Sequence, residues 1–227
     1  MNRWFEAKDG TAQAEDAFKL SDTLVHSKRE QRAVARERRR SLPAAERRHR
    51  ARRMALLASR LRPFLRARRI ACYIAMDGEI DCAALIALIR RHRKQCYLPV
   101  LVKWPRRSLR FAMFRGRCRL KRNRLGIPEP AVPRIRLLSA ERLDLVFTPL
   151  VGFDSECRRL GMGGGFYDRT LAASVRRARH QRPAVVGLAY ELQRFDRVVA
   201  DSWDVPLSHV VTERIVYRGD RNAGRLR

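Results

Sequence analysis

Residues 70–101 read IACYIAMDGEIDCAALIALIRRHRKQCYLPVL, and this stretch decides the fold. It begins with a short apolar run at residues 70–76 and ends with another at residues 95–101, and each run is typical of a buried strand. Between them, residues 82–93 carry apolar side chains at helical spacing, namely Leu85, Ile86, Leu88 and Ile89. A strand, a helix and a strand in this order predict two parallel strands joined by a right-handed crossover.

The same alternation continues toward the C-terminus. An edge strand is predicted at residues 109–114, and further strands are predicted at residues 143–149, 184–190 and 210–217. Residues 115–135 are basic and rich in Gly and Pro, which indicates a long loop. Alternating strands and helices predict an α/β fold, a layered and mostly parallel sheet that is flanked by helices.

The region before this alternation is basic and helical. Residues 27–40 are helix-permissive and almost wholly charged, and Pro43 suits the first turn of a second, amphipathic helix at residues 44–65. Residues 1–25 include five acidic side chains and show no apolar pattern. We therefore predict a weakly structured acidic extension at residues 1–25, followed by a single α/β domain at residues 26–227.

The net charge of this chain is unusually high. The 227 residues include 51 Lys and Arg against 23 Asp and Glu, a formal net charge of +28. Residues 26–69 alone carry 17 basic and three acidic side chains. Such a field attracts polyanions without determining a fold, so nucleic acid, ATP and polycarboxylate substrates all stay open at this point. A codon bias toward Arg would produce the same excess without any functional meaning.

Cysteine usage and hydropathy indicate a soluble, cytoplasmic protein. The five cysteines form no CxxC pair and no Cys/His cluster, which favours a reducing compartment. The first 25 residues have no continuous apolar core, so we expect no signal peptide. No segment reaches the roughly 20 apolar residues that a membrane-spanning helix requires, and we expect no membrane partner.

The most informative motif is RLGMGGGFYDR at residues 159–169. Four glycines in five positions let backbone N–H groups approach a ligand, and the helix start that follows favours an anion. Arg159 adds a guanidinium that can hold a phosphate. The string is neither a Walker A loop nor a Rossmann fingerprint, so it predicts a phosphate site without saying which phosphate. A flexible turn without a ligand is the alternative.

This motif and four others stand in an order that resembles the 5-formyltetrahydrofolate cyclo-ligases, also called methenyltetrahydrofolate synthetases. The resemblance covers roughly residues 27–217. Its blocks are KREQR at 28–32, MDGEI at 76–80, LGIPEP at 125–130, the stretch 153–169, and GLAYELQ at 187–193 with DVPL at 204–207. The fourth block is specific for the family, whereas the others are weak when taken alone.

The resemblance implies a reaction. An ATP- and magnesium-dependent enzyme would convert 5-formyltetrahydrofolate to 5,10-methenyltetrahydrofolate and release ADP and phosphate. Phosphoryl transfer to the formyl oxygen would activate it, the neighbouring folate nitrogen would attack, and phosphate would leave. Such chemistry depends mostly on positioning and charge neutralisation, for which glycine amides, cationic side chains and a metal are suited.

The resemblance also implies roles for individual residues. Arg159 and Tyr167 would be catalytic, while Ile74, Glu79, Tyr167 and Gln193 would bind the folate. Asp168 and Asp204 would bind Mg²⁺, because hard cations prefer oxygen ligands. The ATP site would comprise Lys28, Arg29, Glu30, Gln31, Arg32, Gly161, Met162, Gly163, Gly164, Gly165, Phe166 and Asp168. Solvated charges, core packing and helix capping are the structural alternatives for these residues.

Two other functional classes stay open. One is a basic RNA- or DNA-binding protein, although aromatic residues are only 7% of the chain and do not alternate with the basic run, so stacking platforms are not evident. Salt-dependent, nonspecific adhesion to nucleic acid is expected in either case. The other is a different α/β enzyme with a phosphate ligand. The sequence leaves the oligomeric state undetermined.

Overall fold

A computed structural model describes residues 27–102, 108–116, 118–176 and 183–219. The extension predicted at residues 1–25 lies outside the described residues. The strands are β1 (Arg69–Ala71), β2 (Gln95–Val102), β3 (Ser108–Met113), β4 (Leu120–Arg122), β5 (Pro128–Pro130), β6 (Leu145–Pro149), β7 (Gly152–Phe153), β8 (Arg159–Leu160), β9 (Ala184–Leu188), β10 (His209–Val211) and β11 (Val216–Arg218). The α-helices are α1 (Lys28–Ser41), α2 (Ala44–Ser59), α3 (Arg62–Arg66), α4 (Ala83–Arg91) and α5 (Phe166–Arg176). Short 3₁₀ turns lie at Arg134–Arg136, Ala140–Arg142 and Glu191–Gln193.

Seven strands form the central sheet in the order β11-β10-β9-β6-β1-β2-β3. The five strands from β10 to β2 are parallel, and the edge strands β3 and β11 are antiparallel to their neighbours. The crossover predicted for residues 70–101 is present as β1-α4-β2. The prediction of a mostly parallel, helix-flanked α/β sheet is therefore confirmed.

Alternating side chains along the strands build a core on each face of the sheet. Ile70 and Phe147 point to the face that α2 and α4 cover, where Met54 and Leu85 are fully buried. Ala71 and Val146, which neighbour them in the same two strands, point to the opposite face and belong to a second core with Leu171 of α5. Helices on both faces are the arrangement that a parallel sheet requires.

Three predicted elements have different bounds in the structure. The strand predicted at 70–76 ends at Ala71, because residues 72–82 leave the sheet as an irregular, partly buried segment. The strand predicted at 210–217 is a hairpin of β10 and β11, closed where the Thr212 N–H donates to the Ile215 carbonyl at 3.0 Å. The helix predicted at 44–65 is interrupted after Ser59, and Pro63 begins a separate short helix, α3.

The strand order places a crevice between β1 and β6. From β1 the chain moves to β2 on one side, whereas from β6 it moves to β9 on the other. In open α/β sheets, ligands bind at such a switch point, beyond the carboxyl ends of the strands. The segment after β1 contains the MDGEI motif, and the segment after β6 leads into the glycine loop. The fold therefore brings the two most informative motifs to one edge of the sheet.

Two sequence predictions concern the surroundings of the protein. All five cysteines are free thiols, and four of them are buried. Among the described residues, the helices are too short or too polar for any of them to cross a bilayer.

Candidate active site

The glycine loop lies between β8 and α5 and has a left-handed backbone at two positions. Gly163 has φ +97° and Gly165 has φ +61°, values that side-chain-bearing residues rarely adopt. Gly164 differs, since a Cβ there would lie 2.8 Å from the Phe166 ring. At Gly161 a Cβ would meet nothing within 4 Å. The four glycines therefore have different structural requirements, which their shared composition does not reveal.

A cavity of about 350 Å³ opens beside this loop. It lies between the start of α1, the loop, the start of α5 and a turn at residues 201–204. Its lining residues are Lys28, Arg32, Arg159, Leu160, Gly161, Gly163, Gly165, Asp168, Arg169, Ala172, Asp201, Trp203 and Asp204. Cationic side chains and glycine backbone around one cavity form a setting that attracts phosphate groups.

Two basic residues of α1 face this cavity. Arg32 donates from Nε to the Gly161 carbonyl at 2.8 Å, which ties the helix to the glycine loop. Lys28 donates from Nζ to Asp204 at 3.1 Å and also binds Asp201. Burial lowers the pKa of Lys28, but the hydrogen bonds and charges of the two aspartates outweigh it, so the net pKa is raised. Lys28 is therefore a fixed positive charge at the cavity wall.

The other residues of the KREQR motif have different positions. Arg29 and Glu30 are exposed, and neither lines the cavity. Glu30 forms the capping box of α1 with Ser27, whose hydroxyl accepts from the Glu30 N–H at 3.2 Å. Gln31 is buried and donates to the Arg197 carbonyl at 2.8 Å. A role in ATP binding for these three residues stays a prediction.

Arg159 is buried on β8 and holds the start of α5 in place. Its Nη1 donates to the Thr148 hydroxyl at 2.9 Å, and its Nη2 forms an ion pair with Asp168. The guanidinium carbon lies 5.9 Å from the centre of the Tyr167 ring. One side chain therefore contacts both Asp168 at the cavity and Tyr167 beside it.

The two aspartates that were predicted to bind metal are neighbours across the cavity. Asp168 accepts from the Val205 N–H at 3.2 Å, which brings it beside Asp204. In the described part of the chain, no group of three or more His, Cys, Asp or Glu side chains could hold a metal by itself. Mg²⁺ characteristically uses one or two carboxylates together with substrate phosphates and waters. The pair therefore fits a Mg²⁺ ion that arrives with a nucleotide.

Glu79 and Tyr167 interact electrostatically with each other, and neither lines the cavity. Glu79 accepts from the Met76 N–H at 3.0 Å, and burial raises its pKa. Burial also raises the pKa of Tyr167, and the nearby charge of Glu79 raises it further. The two side chains are therefore within electrostatic reach, although 88 positions in the sequence separate them. Ile74 is partly buried and packs against the adjoining core.

Gln193 is buried, and backbone groups occupy its amide. Its Nε2 donates to the Val151 carbonyl at 2.7 Å and the Leu150 carbonyl at 3.1 Å. Its Oε1 accepts from the Tyr190 N–H at 2.9 Å. These bonds join the segments that follow β6 and β9. The predicted contact of Gln193 with the folate is untested, whereas this structural role is observed.

The cavity also contains residues that sequence reasoning missed. Trp203 is 69% exposed at its rim, and Asp201 binds Lys28. Arg169 donates to the Gly164 carbonyl at 2.5 Å, and its guanidinium carbon lies 5.2 Å from the centre of the Phe166 ring. Asp201 and Trp203 directly precede the DVPL block, so extending that block by three residues would have found them. Met162, half-exposed at the loop, does not line the cavity.

The fold and the site together define an α/β enzyme with a glycine-rich loop and an adjoining cavity at the switch point of its sheet. Residues 25–213 match the model of the 5-formyltetrahydrofolate cyclo-ligase family. The chain therefore belongs to the 5-formyltetrahydrofolate cyclo-ligase family.

Individual relatives support this assignment. The chain is 37% identical to the 5-formyltetrahydrofolate cyclo-ligase of Escherichia coli K12 over 184 residues, which span 81% of this chain and 99% of that protein. It is 41% identical to the Haemophilus influenzae cyclo-ligase over 145 residues, which span 64% of this chain and 75% of that protein.

Solved structures agree with this fold. The solution structure of Aquifex aeolicus 5,10-methenyltetrahydrofolate synthetase superposes with a TM-score of 0.69 at 30% identity, covering 84% of this chain and 92% of that one. The Mycoplasma pneumoniae 5,10-methenyltetrahydrofolate synthetase, with a TM-score of 0.64 at 22% identity, shares the fold.

Proposed function

We propose that this enzyme converts 5-formyltetrahydrofolate to 5,10-methenyltetrahydrofolate, consuming ATP and releasing ADP and phosphate. The observation that carries the proposal is the position of Arg159. Its guanidinium binds Asp168 at the cavity and lies over the ring of Tyr167, which is within electrostatic reach of Glu79. The nucleotide site and the folate site that the family implies therefore meet at this residue.

At the cavity, side chains of α1 and backbone of the loop hold the nucleotide. Lys28 and Arg32 compensate the negative charge of the phosphates, and the loop amides from Gly161 to Gly165 donate to phosphate oxygens. Asp168 and Asp204 hold the Mg²⁺ ion, which neutralises phosphate charge when it is bound. The internal ion pairs of Lys28 and Arg159 with these carboxylates rearrange as the nucleotide enters.

On the folate side, the chain's contribution is to bind and orient. Glu79 accepts hydrogen bonds from the pterin, and Ile74 and Tyr167 form apolar walls. The γ-phosphoryl group moves to the formyl oxygen, the P–O bond to ADP breaks, and the adjacent folate nitrogen then closes the ring as phosphate leaves. Arg159 stabilises the charge that develops on the transferred group. No covalent enzyme nucleophile is required, since positioning and electrostatics carry the reaction.

The test is an absorbance assay for 5,10-methenyltetrahydrofolate at neutral pH. We expect product when 5-formyltetrahydrofolate, ATP and Mg²⁺ are all present, and none when any one of them is left out or when EDTA removes the metal. Turnover without ATP, or undiminished turnover in EDTA, would overturn the corresponding part of the proposal. Tight, sequence-specific RNA binding without folate turnover would instead favour the nucleic-acid-binding alternative.

A further inference from the structure

The C-terminal end of α1 forms hydrogen bonds to the turn that contains Glu79. Arg39 donates from Nη2 to one carboxylate oxygen of Asp77 at 3.0 Å. Arg40 donates to the other oxygen from Nε at 3.1 Å and from Nη2 at 2.8 Å. Three hydrogen bonds from two adjacent residues of one helix therefore hold Asp77, two positions before Glu79.

This turn has an unusual backbone conformation. Asp77 has φ +48° and Gly78 has φ +75°, so two successive residues occupy the left-handed region. For a non-glycine residue this conformation is unfavourable and persists where surrounding contacts maintain it. The Glu79 N–H donates to the Met76 carbonyl at 2.9 Å, and the Glu79 carboxylate accepts from the Met76 N–H. The direction of the Glu79 side chain therefore depends on the turn.

Arg39 is the buried member of the pair. It is 0% exposed, whereas the Arg40 side chain is 65% exposed. Among the residues that the structure describes, Nε and Nη1 of Arg39 have no hydrogen-bond partner. A Cβ added at Gly78 would lie 3.7 Å from Nε, so the turn lies directly over the guanidinium. An incompletely bonded buried cation is costly, and this makes a purely packing role a weak explanation.

The charges around Glu79 come from several elements. Arg39 of α1 lowers its pKa and Asp77 of the turn raises it, although burial has the largest effect. Tyr73 after β1 and Tyr167 of α5 also lie within electrostatic reach. An ionised Glu79 can accept hydrogen bonds from a ligand at both oxygens, whereas a protonated carboxyl uses one oxygen as a donor. A cation of fixed charge next to this turn therefore favours the form of Glu79 that can bind.

We propose that Arg39 and Asp77 are positioning residues for the folate site, with Asp77 fixing the turn that presents Glu79 and Arg39 placing a buried positive charge against that turn. This inference rests on the proposed function, because Glu79 is assigned to the folate there. It adds that α1 serves both ligands. Its Lys28 end faces the nucleotide cavity, and its Arg39 end, about 16 Å further along the helix axis, holds the folate turn.

The experiment is calorimetric titration with 5-formyltetrahydrofolate without ATP, from neutral to acid pH, for the wild type and four variants. The titration of the ligand itself is common to all of them and cancels in the comparison. For the wild type we expect affinity to fall as the pH drops through the raised pKa of Glu79. If the wild type does not bind 5-formyltetrahydrofolate at all, the proposed function fails, and the positioning inference fails with it.

The two central variants have effects of opposite sign on the pH profile. Arg39→Met removes the cation. The loss of folate affinity on acidification, called the acid limb below, therefore moves to higher pH, and the affinity at neutral pH falls about tenfold or more. Asp77→Asn removes a neighbouring anion, so the acid limb moves to lower pH, while loosening of the turn weakens binding at all pH values. A merely structural role would weaken binding in both variants without moving the limb in opposite directions.

Two further variants act as matched controls. Arg39→Lys keeps the buried charge, so the acid limb stays in place although the affinity falls; this variant also keeps the inference testable if Arg39→Met does not fold. Arg40→Ala removes the exposed partner of the same carboxylate and should cost about threefold or less with no shift of the limb. Suppose that the wild type binds, but the acid limbs of Arg39→Met and Asp77→Asn do not move or move in the same direction. That result would overturn the positioning inference and leave the proposed function intact.

Discussion

The two ends of α1 hold charge in different ways. At the first end, Lys28 faces an open cavity and binds two partly exposed aspartates, so its partners can be exchanged for phosphate. At the other end, Arg39 is completely buried and holds a turn in an uncommon conformation. Nucleotide affinity should therefore depend on the exchange of ion pairs, whereas folate affinity should depend on a geometry that exists before the ligand arrives.

The largest expected effect concerns the glycine loop at the nucleotide end. Gly165→Ala places a methyl group at a left-handed position, 2.6 Å from Nη1 of Arg169, so the backbone is strained and the Arg169 guanidinium must move away from the loop. We expect kcat/KM for ATP to fall by about 100-fold or more, comparable with losing donors that stabilise transition-state charge. Steady-state kinetics with varied ATP measure it.

Gly161→Ala is the matched control in the same loop. It adds the same methyl group where nothing lies within 4 Å, so the backbone should not change and the loss should be much smaller. Equal losses for the two variants would show that the left-handed conformation is irrelevant to nucleotide binding.

The next effect tests whether the charges of α1 act locally. Lys28→Ala with Arg32→Ala removes two cations from the cavity wall, and we expect kcat/KM for ATP to fall about tenfold to 100-fold. Arg52→Ala with Arg53→Ala removes the same charge from the exposed face of α2 and should cost little. Kinetics at low and high salt separate the two cases. At 0.1 M, salt largely screens interactions between exposed charges that are more than about 10 Å apart. Similar, salt-sensitive losses in both double variants would mean that the basic region acts only through its overall field.

The smallest effect at neutral pH is expected for a change of one charge at the folate end. Glu79→Gln keeps the shape of the side chain and should weaken 5-formyltetrahydrofolate binding about tenfold, with ATP affinity nearly unchanged. Burial raises the pKa of Glu79, so folate affinity of the wild type should fall as the pH drops, and this acid limb should be absent in the variant. Calorimetry with each ligand measures both effects. Equal losses for the two ligands would assign Glu79 to the structure of the crevice instead of the folate site.

Local patterns in the sequence predicted the order of strands and helices. They failed where tertiary contacts determine the end of an element. The β-α-β unit was predictable because strand and helix periodicities alternate within residues 70–101. The end of β1 was not, because Cys72 and Tyr73 are apolar and buried in an irregular segment, and periodicity does not distinguish this from a strand.

The site was predictable to a similar degree. The glycine loop is visible as composition, but only the backbone shows that Gly163 and Gly165 need glycine while Gly161 does not. The hydrogen bond between Arg39 and Asp77 joins residues 38 positions apart, and local sequence patterns do not predict it. Asp201 and Trp203 were missed because they lie just outside the block that carried the resemblance.

The ion pair between Lys28 and Asp204 has a consequence for biosynthesis. It joins residues 176 positions apart, so the two walls of the cavity are translated at widely separated times. Chains are synthesised at roughly 5–20 residues per second, so the turn at residues 201–204 is synthesised on the order of ten seconds or longer after α1. During that interval a nascent chain has the basic helix but not the acidic turn. The cavity is therefore complete only after residues 201–204 have been synthesised, and a chain that stops before them lacks one wall of the proposed nucleotide site.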